Sequence, residues 1–204
     1  MFAPKRKIMN PYKLIVVAAA AAALLATLMS SASARSIAGN TTRLTAFSSL
    51  RFEGAFGSSD CVITLSSSLH SRTITKSPGT LIGYIDDARL GACSSISATI
   101  LRETLPWHVR YRSFSGTLPN ITRISTDVIG FAVKTRIVAE SCLLRSEVNE
   151  PVIGDYTVVG GSITDVTIRG SIRTDPGCFG VRLRVNSAGG TVTGEAGTVT
   201  VRLI

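Results

Sequence analysis

Beyond residue 35 the chain is written in twos. Leu50, Phe52 and Phe56 are interleaved with Arg51, Glu53 and Ala55, and Phe131, Val133, Thr135 and Ile137 with Ala132, Lys134 and Arg136. Phe179, Val181, Leu183 and Val185 alternate with Gly180, Arg182 and Arg184, and Val199, Val201 and Leu203 with Thr200 and Arg202. A period of two puts apolar side chains on one face of a strand and polar ones on the other. Helical periodicity is hard to find in the same region. Thr, Val, Ile and Ser dominate these runs, as suits pleated, half-buried strands. Turn chemistry divides them at Gly57-Ser58-Ser59-Asp60, Ser77-Pro78-Gly79, Gly160-Gly161, Asp175-Pro176-Gly177 and Ser187-Ala188-Gly189-Gly190. The pattern predicts an all-β domain, an antiparallel sandwich or barrel of about ten strands. Alternation alone does not separate sandwich from barrel.

Residues 1–34 follow another rule. Lys5, Arg6, Lys7 and Lys13 precede an uncharged stretch, LIVVAAAAAALLATLM, and then Ala32-Ser33-Ala34. A basic start, an apolar middle and a small-residue end make a secretory signal helix with an expected cut between Ala34 and Arg35. The alternative is a retained anchor, because Leu14 to Ala34 nearly reaches the ~20 apolar residues that span a bilayer. Membrane contact is expected only through this segment, and only if it is left uncleaved. The organisation expected is a signal peptide, 1–34, and one domain, 35–204, destined for secretion or the cell envelope.

Export changes the charge and redox reading. Removing the four leader cations from the 22 Lys and Arg leaves 18 against 13 acids, a net +5 in place of +9. These charges are dispersed, which argues against specific nucleic-acid binding and for loose contact with anionic polymers. All four cysteines, Cys61, Cys93, Cys142 and Cys178, lie beyond the leader, and an even count in an exported domain predicts disulfides. Three pairings are possible; joining sequence neighbours favours Cys61–Cys93 and Cys142–Cys178. No CxxC pair exists, and His70 and His108 have no companion at ligand spacing, so no metal site is predicted. A transmembrane barrel would need aromatic girdles, and aromatics are only 6% of the chain.

One segment gathers the large side chains: LPWHVRYRSFSGTLPNIT, Leu105 to Thr122. As a strand bracketed by Leu105-Pro106 and Leu118-Pro119, it sends Trp107, Val109 and Tyr111 to one face and His108, Arg110 and Arg112 to the other. The plain reading is a core face backed by a solvated one. The functional reading is a candidate binding stripe: His108, Arg110 and Arg112 on its exposed face, flanked by Trp107 and Tyr111, contacting an anionic cell-wall or extracellular polymer, with His108 tuning contact between about pH 5 and 8. Three neighbouring cations call for an acid opposite, with Glu53, Asp86, Asp87 and Glu103 as candidates. Together with CVITLSSSLHSRTI and KSPGTLIGYI, the PWHVRY and GTLPNI strings resemble a group of uncharacterised exported proteins of high-GC Gram-positive bacteria. That resemblance implies an exported all-β protein and transfers no activity and no catalytic residue.

Signals for catalysis are thin. Glu103, Glu140, Glu147 and Glu150 offer carboxylates for glycoside hydrolysis, but no spacing predicts that two converge. There is no GxSxG elbow, and a triad would have to recruit His70 or His108. Asp86-Asp87 lacks the oxygen-rich loop of a calcium site. The expectation is a non-catalytic binding module without a cofactor and with no catalytic residues. The alternatives are a calyx-type carrier of a small apolar ligand, which requires a roomy cavity, and, less favoured, a polysaccharide hydrolase. Nothing in the pattern sets an oligomeric state.

Overall fold

The computed structural model describes residues 36–54, 57–117, 120–137, 140–174 and 182–204. The predicted leader, the Asp175-Pro176-Gly177 turn, Cys178, Phe179, Phe56 and Leu118-Pro119 lie outside the described residues. The rest is strand: β1 (Ser36–Gly39), β2 (Arg43–Gly54), β3 (Gly57–Leu69), β4 (Thr73–Thr75), β5 (Leu81–Cys93), β6 (Ser97–Ile100), β7 (Trp107–Thr117), β8 (Asn120–Ile129), β9 (Ala132–Ile137), β10 (Glu140–Arg145), β11 (Val152–Val159), β12 (Ser162–Thr174), β13 (Arg182–Gly194), β14 (Gly197–Thr198) and β15 (Val201–Leu203). A single 3₁₀ turn, Arg102–Thr104, is the only helical element among the described residues.

Eight strands run as an antiparallel meander, β2-β3-β5-β7-β8-β11-β12-β13, and β13 pairs back onto β2. The ring closes, which decides barrel over sandwich and leaves no free edge around it. The prediction of about ten strands understates the segments because short pieces decorate the barrel. Strands β6, β9 and β10 extend from the end of β12 as a wing. Strands β15, β1 and β4 form a separate three-stranded sheet. Strand β1 precedes the start of β2, and β4 follows the end of β3, so this small sheet lies across one end of the barrel as a lid.

The alternation predicted for the strands describes the interior. Leu50, Phe52, Ile63, Ile85, Val109, Ile124, Val128, Val152, Ile168 and Val185 are buried, with Lys134, Arg136 and Arg51 exposed on opposite faces. At the end away from the lid, Trp107 packs on Phe131 with ring centroids 4.9 Å apart. The indole N–H donates to Thr104 Oγ1 at 2.9 Å, so the buried Trp leaves no orphan donor. The Cys61–Cys93 bridge joins directly paired residues of β3 and β5. Cys142 is also disulfide-bonded. The outward face carries ion pairs, among them Arg51–Asp60, Arg89–Asp87 and Arg112–Asp127. No helix among the described residues is long and apolar enough to cross a membrane.

Two predicted turns are not turns. Gly57-Ser58-Ser59-Asp60 opens β3, and the hairpin tightens earlier, with Gly54 pairing Gly57. Ser187 to Gly190 lies within β13 as a bulge against β2. A glycine run can serve a close backbone approach as well as a reversal. At Gly190 a Cβ would sit 2.3 Å from the Phe47 carbonyl oxygen, and Gly189 has φ +122°. Asp165 holds the bulge by accepting the Gly190 N–H at 2.8 Å. By contrast, Gly160-Gly161 does turn β11 into β12, both at positive φ.

Candidate functional site

On the outer wall, strand β7 begins at Trp107, immediately after Pro106, and separates its two faces as the alternation requires. Trp107 is 0% exposed and Tyr111 2%, so both lie in the core and neither is available to a surface partner. His108 and Arg112 are exposed and Arg110 is half-buried. Arg112 is neutralised by Asp127 of β8, with Nη1–Oδ1 at 2.8 Å. The acid opposite is therefore not among the four candidates. Asp87 engages Arg89 and Arg102, and Glu53 engages Arg51. The β7–β8 register places Asp127 across from Arg110, beside Arg112, a relationship that exists only once the strands pair. His108 lies 5.5 Å from the Tyr84 ring, and Tyr84 lies 5.0 Å from His70, giving a short aromatic row on the barrel wall.

Inside the barrel a different arrangement appears. Beneath the lid is a partly open cavity of about 70 Å³. Ile37, Ile74 and Val201 close it from the lid, and Leu44, Leu65, Leu69, Ile82, Ile85 and Ile124 wall it from the barrel. A second chamber of about 30 Å³ continues toward Val128 and Phe131. Ala46, Leu65, Ile85 and Tyr156 border both chambers, so the two are neighbours along the barrel interior. Leu44, Ala46, Leu65 and Leu69 belong to the inward-facing set yet stay only partly buried, in keeping with their place beside open space. The polar groups here are few. Thr126 and Tyr156 both line the wall, and burial pushes the ionisation of Tyr156 above the usual value of 10.0 although the neighbouring Thr126 hydroxyl works the other way. Among the described residues Arg72, at the rim, is the only charged one bordering either chamber.

A buried carboxylate lies on the barrel wall between β8, β11 and β12. Asp155, 6% exposed, accepts a hydrogen bond from Ser125 and one at 2.7 Å from Arg169 Nε. Burial pulls its pKa upward, but these bonds, with the charges of Arg169 and Arg123, hold it below the ordinary 3.8. With every partner spoken for, this is a structural clasp. The other candidate acids do not converge in a cleft. Glu147 and Glu150 both reach Arg173 on the surface, at 4.0 and 3.1 Å, and Glu103 is exposed on the 3₁₀ turn. The Glu140 side chain lies outside the description. Among the described residues no group of three or more His, Cys, Asp or Glu is placed to hold a metal ion.

The sequence reading did not single out Ala46, Tyr156 or Arg72. Ala46 sits in a legible alternation, Leu44-Ala46-Ser48, and its small size is the one local sign of space. Arg72 lies in the short connection between β3 and β4, where no periodicity points inward.

The described residues of the unit beyond residue 35 form a closed eight-stranded barrel, capped at one end by a small sheet, with an apolar chamber inside. The family described as "Alkane oxidation protein activator PraA/PraB-like" matches residues 9–178, and the chain belongs to it. The matched region includes the whole LPWHVRYRSFSGTLPNIT segment. Comparison with curated proteins and with solved structures gives no significant match in either.

Proposed function

We propose that the protein works after export as a non-catalytic accessory that holds a small, linear apolar molecule in its barrel. The observation that carries this reading is the cavity beneath the lid, walled mainly by Leu, Ile and Val and, among the described residues, bordered by no carboxylate. Eight-stranded barrels have interiors just wide enough to be filled by side chains or to hold one small ligand, and here the filling is incomplete. The family's description names alkane oxidation, a process whose substrates are saturated, apolar hydrocarbons. A cavity of about 150 Å³ accepts benzene; by that scale the 70 Å³ space takes roughly three carbon atoms as it stands. Longer chains require the inward leucines and the lid to shift. The test is a methyl-NMR titration of the purified protein with n-octane. Shifts confined to Leu44, Leu65, Ile82 and Ile85 support the reading, and an unchanged spectrum at octane saturation overturns it.

The outer wall favours a second reading, contact with anionic envelope or extracellular polymers through His108 and Arg110. His108 is exposed, and among the described residues neither side chain has an ion-pair partner, whereas Arg112 is tied to Asp127. Replacing His108, Arg110 and Arg112 together by Ser should release the protein from isolated cell walls. Undiminished retention removes this reading.

A further inference from the structure

We infer that the ligand of the barrel carries an anionic head, a carboxylate on a straight hydrocarbon tail, and that Arg72 binds that head; this rests on the apolar-ligand reading above. The argument starts from the rim. Arg72 joins the wall of a largely apolar cavity whose other polar side chains, Thr41, Ser67, Thr126 and Tyr156, are uncharged, and among the described residues no acidic side chain borders either chamber. Its backbone is fixed, because its carbonyl accepts the Gly39 N–H of lid strand β1 at 2.7 Å. Its side chain is exposed, and among the described residues it has no ion-pair partner. Of the other arginines near this end, Arg43 is engaged by Glu195 at 3.5 Å, and Arg202 on lid strand β15 is not among the residues that line either chamber.

An arginine beside an apolar hole is chemically selective. A pure hydrocarbon gains nothing from it and must leave the guanidinium hydrated. A carboxylate matches its paired N–H donors, while the tail follows the apolar column through Ala46, Leu65, Ile85 and Tyr156 toward Phe131. The head stays at the wet rim, where neither charge has to be buried. The ligand class is therefore a terminally oxidised chain at the carboxylate level.

The test uses calorimetric titration of the full protein at pH 7.5 with sodium octanoate and with 1-octanol, which share a tail and differ in head. Wild type is expected to bind octanoate about tenfold more tightly at low ionic strength, and the preference should shrink as salt screens the pair. In Arg72→Gln the preference should vanish, with octanol binding unchanged. Across butanoate, hexanoate and octanoate, affinity should rise about fourfold per buried methylene until the column is full. Ala46→Leu, which fills the space between the chambers, should weaken both octanoate and octanol. Equal affinities in wild type, or a preference that survives in Arg72→Gln, overturn the headgroup assignment and leave the apolar-ligand reading standing. Absence of binding by either compound, or binding unaltered by Ala46→Leu, overturns both.

Discussion

Tyr156 on β11 and Thr126 on β8 stand together on the wall of the cavity, where burial raises the pKa of the phenol and the neighbouring Thr126 hydroxyl works to lower it. Thr126 also donates to the Gly154 carbonyl at 3.4 Å. Tyr156 is half-buried, and its ring borders both chambers.

Two tyrosines, Tyr111 in the core and Tyr156 half-buried beside the cavity, make stability sensitive to alkali. Burial raises the pKa of both Tyr111 and Tyr156 above 10.0. A neutral group whose folded pKa is raised contributes fully below the unfolded value, and the contribution is lost as pH climbs toward the folded one. Urea midpoints should therefore fall as pH rises beyond 10, and Tyr156→Phe should fall less steeply. Parallel pH profiles for the two proteins would refute the assignment.

Asp155 sets the acid side. Its folded pKa is lowered, so its contribution is present above the ordinary 3.8 and disappears as pH drops through the folded value. Asp155→Asn should cost about 1–3 kcal/mol at pH 7 through weakened bonds to Ser125 and Arg169. The gap between wild type and variant should narrow in denaturant melts at pH 3. A gap of constant size would mean that the carboxylate charge contributes nothing.

Trp107 is the chain's one tryptophan and is fully buried against Phe131. Its emission should be blue-shifted in the native protein and move to the red on unfolding. Trp107→Ala should cost about 3–5 kcal/mol by opening the barrel floor. A solvent-like native emission spectrum would place the indole outside the core.

The Cys61–Cys93 bridge spans a sequence separation of 32 and ties β3 to β5. Replacing both cysteines by Ser should lower stability by about 3–4 kcal/mol on the chain-entropy argument. Unchanged thermal melting of the double variant would show that the adjacent strand pairing already supplies the constraint.

The strands were legible because burial in a barrel wall is local and binary. Trp107, Val109 and Tyr111 are buried, and His108 and Arg112 exposed, as alternation requires. Cys61–Cys93 was reachable from sequence proximity within an even set of cysteines. Closure was not legible, because the β13–β2 pairing joins residues more than 130 apart and depends on summed strand tilt, which no local pattern encodes. The acid opposite Arg112 escaped for a related reason: register decides it, and Asp127 carries no mark in the sequence. The glycine bulge at Ser187 to Gly190 reads as a turn because both uses call for the same residues. The cavity was least legible of all. Its wall is ordinary Leu and Ile, and what distinguishes it is a missing volume, shaped by the lid strands and by Ala46 where a larger residue would fit.

The most direct test of the central claim is crystallography under xenon pressure, since xenon enters apolar cavities and displaces no hydrogen bond. The account predicts a xenon atom inside the barrel, among Ala46, Leu65, Ile85 and Tyr156, and its loss in Ala46→Leu. Xenon absent from the barrel, with Leu44, Leu65 and Leu69 packed across the interior, would show a filled core and contradict the proposal that this fold holds an apolar guest.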